Sequence, residues 1–218
     1  MNTQTDHYYT AQPESKSQPS AITYTVNGVT LQLKTDSGVF SKNQVDYGTD
    51  LLIRTLPPLT GRVLDLGCGY GVVGIAIARL NLAAEVVLCD INERAVALSR
   101  ENLQRNLQFA GKDGSVEFPA AKYQVLQSDG FSRIEDSFHT IALNPPIRAG
   151  KATVFRLYHD AFEHLVENGT LYIVIQKKQG MESSHAELTR IFGNCACLAR
   201  KSGYHILRSI RIRMADHI

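Results

Sequence analysis

The sequence predicts a doubly wound α/β fold around a mostly parallel sheet of seven strands, preceded by a β-hairpin. Three observations carry that expectation. Short apolar runs alternate with segments of helical period, as a chain of βαβ units requires. A glycine turn, Gly67-Cys68-Gly69-Tyr70-Gly71, joins one apolar run to an apolar helix start at Val72. Polar residues close four of the runs: Asp65, Asp90, Asp129 and Asn144. Open parallel sheets bind ligands beyond the carboxyl ends of their strands, where the strand order reverses. Four polar strand ends therefore predict one convergent site.

In chain order, residues 1–20 are rich in Gln, Ser, Thr and Pro and read as a polar tail, mobile or ordered on contact. Residues 21–37 hold two runs of period two about Asn27-Gly28, the turn dipeptide of a tight hairpin. The core then spans residues 38–218 as one domain. A loop from Gly38 to Gly48 leads into a helix bearing Leu51, Leu52, Ile53 and Leu56, which Pro57-Pro58 ends. Val63 to Leu66 is the first core strand, and Val72 to Ala78 the helix after the glycine turn. Glu85 to Asp90 is the second strand, and Asn92 to Leu107 is helical through Ala95, Val96, Leu98 and Leu103. Residues 108–121 lack a period and read as a surface excursion. Tyr123 to Gln127 and His139 to Leu143 are the third and fourth strands, the third followed by Ser128-Asp129-Gly130. A helix from Thr153 to Val166 is expected to end at the C-cap signal Asn168-Gly169. Leu171 to Ile175 is the fifth strand and Ser183 to Phe192 a helix. Cys195 to Arg200 and Tyr204 to Arg211 form a closing hairpin about Ser202-Gly203, which brings one antiparallel strand into the sheet.

Bulk properties narrow the function. The 218 residues carry a net charge of +2, so no overall electrostatic grip on nucleic acid exists and any RNA contact comes from a local patch. No apolar run approaches the roughly 20 residues that span a bilayer, and the polar N-terminus is no secretory signal. Cys68, Cys89, Cys195 and Cys197 form no C-x-x-C pair. They read as reduced thiols of a cytoplasmic protein rather than metal ligands.

The glycine turn contains Gly69-x-Gly71-x-x-Gly74, a match to the dinucleotide fingerprint that is weak on its own. Asp65, just before Gly67, changes its meaning. A carboxylate there repels a pyrophosphate and welcomes an amino group, which suits the methionine end of S-adenosylmethionine better than NAD. Asp90, 25 residues after Asp65, closes the second strand and is placed to accept hydrogen bonds from ribose hydroxyls. Asn144-Pro145-Pro146-Ile147 adds a rigid turn with two prolines and a side-chain carbonyl beside backbone carbonyls. Two such acceptors drawing on the hydrogens of a planar amine favour a pyramidal nitrogen and expose its lone pair. A methyl donor on the opposite side is then open to in-line attack. Taken alone, an Asn-Pro-Pro stretch is also just a stiff turn.

With these residues in place, the chain resembles the class I S-adenosylmethionine-dependent methyltransferases. Within them it is similar to the small-domain group that methylates position 2 of guanine in 16S ribosomal RNA, and most to its short, single-domain bacterial members. The resemblance runs over nearly the whole chain: His7-Tyr8-Tyr9, Gly38-Val39-Phe40-Ser41, Val45-Asp46-Tyr47-Gly48, the Asp65 turn, Asp90-Ile91-Asn92, Asn144 to Lys151, and Gln176-Lys177-Lys178-Gln179-Gly180. It implies S-adenosyl-L-methionine as cofactor and ribosomal RNA or the small ribosomal subunit as partner. Asp65, Gly67 and Gly69 would line the methionine and backbone side of the cofactor, Asp90 would hold the ribose and Asp129 would approach the adenine amine; Cys68, Gly71, Ile91, Gly130 and Asn144 are further candidates for cofactor contact. Phe40 and Asp46 fall on a segment that would close over the cofactor, and Asn144 to Ile147 would take the base. Arg148, Lys151, Lys177 and Lys178 flank the expected pocket mouth and are candidates for phosphate contact; Arg208, Arg211 and Arg213 read as plain surface charge.

One position departs from the pattern. Many amine methyltransferases carry an aromatic after the two prolines, where it stacks on the base; here it is Ile147. The length also leaves no room for the second, duplicated domain of longer relatives. Rival readings are glutamine methylation of a protein such as a release factor, a non-catalytic RNA-binding or assembly module, and a dinucleotide-dependent oxidoreductase.

Overall fold

The computed structural model describes residues 9–13, 15–80, 85–110, 116–117 and 122–212. The chain opens with β1 (Ser20–Val26) and β2 (Val29–Thr35), then α1 (Tyr47–Thr55), β3 (Arg62–Leu66), α2 (Val72–Arg79) and β4 (Glu85–Asp90). There follow α3 (Glu93–Asn106), the short β5 (Phe109–Ala110) and β6 (Val116–Glu117), β7 (Tyr123–Gln127) and β8 (Phe138–Leu143). The last elements are α4 (Lys151–Glu163), β9 (Leu165–Gln176), α5 (Met181–Phe192), β10 (Ala196–Lys201) and β11 (Tyr204–Ile210).

The main sheet has seven strands in the order β10-β11-β9-β8-β3-β4-β7. From β3 the chain builds outward through β4 to β7, then returns to the other side of β3 with β8 and β9. The switch point lies between β3 and β8, which pair in parallel with Leu66 opposite Leu143. Asp65 and Asn144 are thus at adjacent strand ends. Strand β11 is antiparallel to β9, as the closing hairpin predicts.

Period-two alternation sorts the side chains into two cores. Val63, Ala142 and Tyr172 pack with Leu52 and Ile53 of α1, Ile75 of α2 and Leu103 of α3. Leu64, Leu66, Ile141 and Leu143 pack on the other face with Leu157 of α4 and Leu188 of α5. The same alternation turns Asp65 toward α2 and Asn144 toward α1.

Both hairpins turn as their dipeptides demand. Asn27 and Gly28 have φ of 48° and 79°, and Ser202 and Gly203 have 49° and 80°. Two successive positive φ values match the twist of the flanking strands. The N-terminal hairpin is fastened to α3 by side-chain amides. Asn102 accepts from Lys34 N–H (2.7 Å) and donates to Lys34 C=O (2.8 Å), while Asn106 does the same for Gln32 at 2.9 Å. These amides satisfy the open edge of β2 as a neighbouring strand would.

Some sequence expectations need correction. Helix α4 stops at Glu163, and Asn168-Gly169 is no C-cap: it lies inside β9. There β9 shifts register between the pairs Phe138–Leu165 and Thr140–Thr170. Asn168, at φ 63°, turns the extra residues outward, and its N–H donates to Arg211 C=O at 2.8 Å. A cap and a strand excursion demand the same positive φ, which Asn and Gly supply equally. Pairing of Phe138 N–H with His164 C=O directly after the helix decided between them. Cys195 precedes β10 instead of belonging to it, and β10 shifts register after Cys197. The excursion at 108–121 lies largely outside the described residues, as does Arg213.

Candidate functional site

At the end of β3, Asp65 is only 3% exposed, and its carboxyl accepts from Gly74 N–H of α2 at 2.8 Å. The approach is possible because residue 74 has no side chain: a Cβ would lie 2.7 Å from Leu88. Gly67 and Gly69 adopt φ of 69° and 56°, and a Cβ on either would meet nothing within 4 Å. These two glycines therefore face open cavity. Gly71, at φ 91°, turns the chain into α2 and points at Ser99 Oγ, so it shapes the loop without lining the cavity.

Asp90 closes β4 and is 9% exposed. One oxygen accepts from Gly69 N–H (2.8 Å) and the other from Asn92 N–H (2.9 Å). It thus pins the glycine loop to the start of α3, which Asn92 caps. Burial pushes Asp90 up to about 6 against its backbone donors. Burial also pushes Asp65 up to about 7, with the charge of Asp90 adding to it. Among the described residues no Lys or Arg forms an ion pair with either carboxyl.

Asn144 follows β8. Its amide NH₂ donates to Thr49 Oγ1 at 3.0 Å, which leaves the amide oxygen as an acceptor. Thr49 is buried in the first turn of α1, and Asp46 caps that helix by accepting from Gly48 and Thr49 N–H at 2.9 and 3.2 Å. After Asn144 the chain makes an inverse γ-turn: Pro146 has φ −76° and ψ 76°, and Ile147 N–H donates to Pro145 C=O at 2.9 Å. A short 3-10 turn, Ile147–Ala149, leads on to α4.

These groups surround one cavity of about 330 Å³. Asp65, Gly67, Cys68, Gly69, Asp90 and Ile91 line one side, and Asn144, Pro145 and Pro146 the other. Phe40, Asp46, Asp129 and Gly130 also reach it, Asp129 in an ion pair with Arg156 at 2.6 Å. Besides Gly71, five candidates do not line it. Ile147 packs against the core on the α4 side. Arg148 contributes a backbone carbonyl to Tyr9, and Lys151 Nζ lies 5.0 Å from the Phe155 ring centroid. Lys177 and Lys178 are exposed in a 3-10 turn after β9. Arg211 turns inward to the carbonyls of Glu163 and Leu165, so it serves the fold. Thr49, Arg156 and Tyr9 line the cavity without having been singled out as site residues. Only the family segment His7-Tyr8-Tyr9 pointed near one of them.

Chemically, two buried carboxyls beside a bare glycine loop suit a ligand carrying an amino group and hydroxyls. The acceptors of Asn144 and its neighbours suit a planar amine. Residues 30–208 match the family model of the methyltransferase small domain. The chain belongs to that family. A methyltransferase small domain of this kind recurs in several proteins of known sequence or structure. An uncharacterized protein of Bacillus subtilis, YbxB, is 36% identical over 95% of this chain and 99% of its own length. Ribosomal RNA small subunit methyltransferase C of Vibrio vulnificus is 34% identical over 83% of this chain and 50% of its own. Among solved structures, the T. thermophilus 16S rRNA N2 G1207 methyltransferase, in complex with AdoMet and guanosine, superposes with a TM-score of 0.74. It is 26% identical and covers 91% of this chain, which spans 52% of that protein. The chain thus spans about half the length of these two methyltransferases.

Proposed function

We propose that this protein transfers a methyl group from S-adenosylmethionine to the exocyclic 2-amine of a guanine in 16S ribosomal RNA. The observation that carries the reading is the Thr49–Asn144 hydrogen bond, which engages the amide NH₂ of a residue lining the cavity beside the glycine loop and leaves its amide oxygen to accept. The names of two similar proteins, both small-subunit ribosomal RNA methyltransferases, support the choice of substrate. The family likewise supports the cofactor.

When bound, S-adenosylmethionine supplies an electrophilic sulfonium methyl; the remaining work falls to the chain. Asp65 takes the amino group, Asp90 the ribose hydroxyls and Asp129 the adenine amine. Gly67 and Gly69 leave room for the cofactor's backbone. Asn144 Oδ1 accepts one amine hydrogen of guanine and the Pro145 carbonyl the other. That carbonyl already accepts from Ile147 N–H, and its second lone pair remains. No strong base is required, because the amine loses its proton with or after transfer. Arg148, Lys151, Lys177 and Lys178 then face the phosphates of the RNA.

The test is single-turnover methyl transfer to small-subunit particles at saturating cofactor, beside a cofactor titration. Asn144→Ala is expected to lower turnover about 100- to 1000-fold, as loss of a positioned polar group does, with cofactor affinity unchanged. Turnover within about threefold of wild type, against that expected loss, would reduce Asn144-Pro145-Pro146-Ile147 to a rigid turn. An equal loss of cofactor affinity would reassign Asn144 to holding the cofactor.

A further inference from the structure

We infer that Tyr9 forms the aromatic wall on which the target base stacks, taking the place that Ile147 leaves without a π-face. The inference rests on the guanine reading above and adds a base-binding subsite to it.

Ile147 does not line the cavity; its half-buried side chain packs against the core on the α4 side. Three aromatic rings line the cavity among the described residues: Tyr9, Phe40 and Tyr70. Tyr70 is part of the core on the α2 side, 3% exposed. Phe40 belongs to the loop before α1. Tyr9 is the one tied to the base side. Its hydroxyl donates to the Arg148 carbonyl at 2.9 Å, three residues beyond Pro145. That carbonyl is in a fixed place. Hydrogen bonds from Ile147 to Pro145, Ala149 to Pro146 and Gly150 to Ile147 close every step of the turn around it.

The segment carrying Tyr9 is itself anchored at the opposite rim. Glu93 N–H donates to Ala11 C=O at 3.0 Å. Arg94 reaches Ser15 C=O at 2.9 Å and Ser15 Oγ at 3.1 Å. The N-terminal arm therefore crosses from the first turn of α3, beside Asp90, to the turn after the prolines. Tyrosine suits such a span: an apolar ring gives a face to a base while its polar tip holds position. Stacking on a ring is tolerant of sequence and needs no donor or acceptor from the base. Asn144 would then select the amine, and Tyr9 would hold the plane.

Tyr9→Leu and Tyr9→Phe separate the ring from the hydroxyl tether. Each full-length variant is titrated with guanosine in the presence of S-adenosylhomocysteine, and assayed for single-turnover methylation of small-subunit particles. Tyr9→Leu is expected to weaken guanosine about five- to hundredfold, as loss of one stacking ring does, while Tyr9→Phe keeps most of the affinity. Cofactor affinity is expected to hold in both. A Tyr9→Leu variant that binds and methylates like wild type overturns the subsite and leaves the guanine reading intact. So does an equal loss in both variants, because the tether would then be the active element. A wild-type chain that methylates no guanine overturns the functional reading and this subsite with it.

Discussion

Asp65 and Asp90 are buried carboxyls held by backbone N–H donors, and their position makes the site sensitive to pH. Burial raises both above the ordinary carboxylate value of 3.8, Asp65 to about 7 and Asp90 to about 6. The folded chain therefore binds more protons than the unfolded chain between pH 3.8 and about 7. The stability these groups contribute is fully present below the lower limit and is lost as pH rises through the upper one. Asp65→Asn, which keeps an acceptor for Gly74, is expected to melt above wild type at about pH 8, with the gap closing toward about pH 4. A gap that is constant across that range would mean that Asp65 does not titrate in the folded chain. Binding an ammonium favours ionised Asp65, so cofactor binding should release a proton below about pH 7. Calorimetry in two buffers of different ionisation enthalpy reads that release directly, and its absence in Asp65→Asn assigns it.

Helix α3 does two jobs along its length. Its N-terminus, capped by Asn92, abuts the cavity carboxyl Asp90. Its C-terminal half carries Asn102 and Asn106, which complete the edge of β2. Asn102 is fully buried and also donates to Tyr70 C=O at 2.9 Å, joining the hairpin to the glycine turn. Asn102→Ala would strand the polar groups of Lys34 and Tyr70 away from water. Its cost is expected at about 1–3 kcal/mol in a urea melt, because buried groups left unpaired bear the full desolvation penalty. Asn106→Ala, whose bonds are exposed, is expected to cost less than about 1 kcal/mol, since water replaces the lost partner. Equal losses would show that the hairpin is held mainly by its apolar side chains.

At the scale of the molecule, the row of strand ends continues past Asn144 toward β10. Lys177 and Lys178 follow β9, and Arg200 and Lys201 end β10 at the turn that pairs with it; all four are exposed. Lys177 N–H donates to Gly203 C=O at 2.8 Å, so the two segments are adjacent. Burial, then the charges of Arg200 and Lys177, hold His205 below its ordinary value, which places those cations around the same turn. None of the four forms an ion pair with a described carboxylate. A net charge of +2 gives little long-range attraction, so Arg200 and Lys201 would extend the local patch proposed above to meet a phosphate backbone. Replacing all four by alanine is expected to weaken RNA binding. The slope of log affinity against log salt should flatten by about 0.7 per lost single-strand phosphate contact, with cofactor affinity unchanged. A wild-type slope in the variant would return these residues to ordinary surface charge.

The parallel sheet, the order of its elements, both hairpin turns and the four polar strand ends were legible in the sequence by itself. Each is encoded locally: by period, by β-branched runs, or by a dipeptide such as Asn27-Gly28 whose dihedrals are almost its own. The glycine loop and Asp65 were legible for the same reason, since Asp65, Gly67 and Gly69 lie within one strand–turn unit, and Asp90 because it closes the next strand. The rest was decided by tertiary structure. Asn168-Gly169 has one conformational preference and two uses, and only the pairing of Phe138 with His164 chose between them. Ile147 follows the prolines directly, yet in the 3-10 turn its half-buried side chain packs against the core on the α4 side and does not line the cavity. Thr49 aims Asn144 from 95 residues away, and Tyr9 reaches Arg148 across 139. Contacts at such separations leave no periodic trace along the chain, because they depend on where folded elements meet rather than on what any one segment prefers.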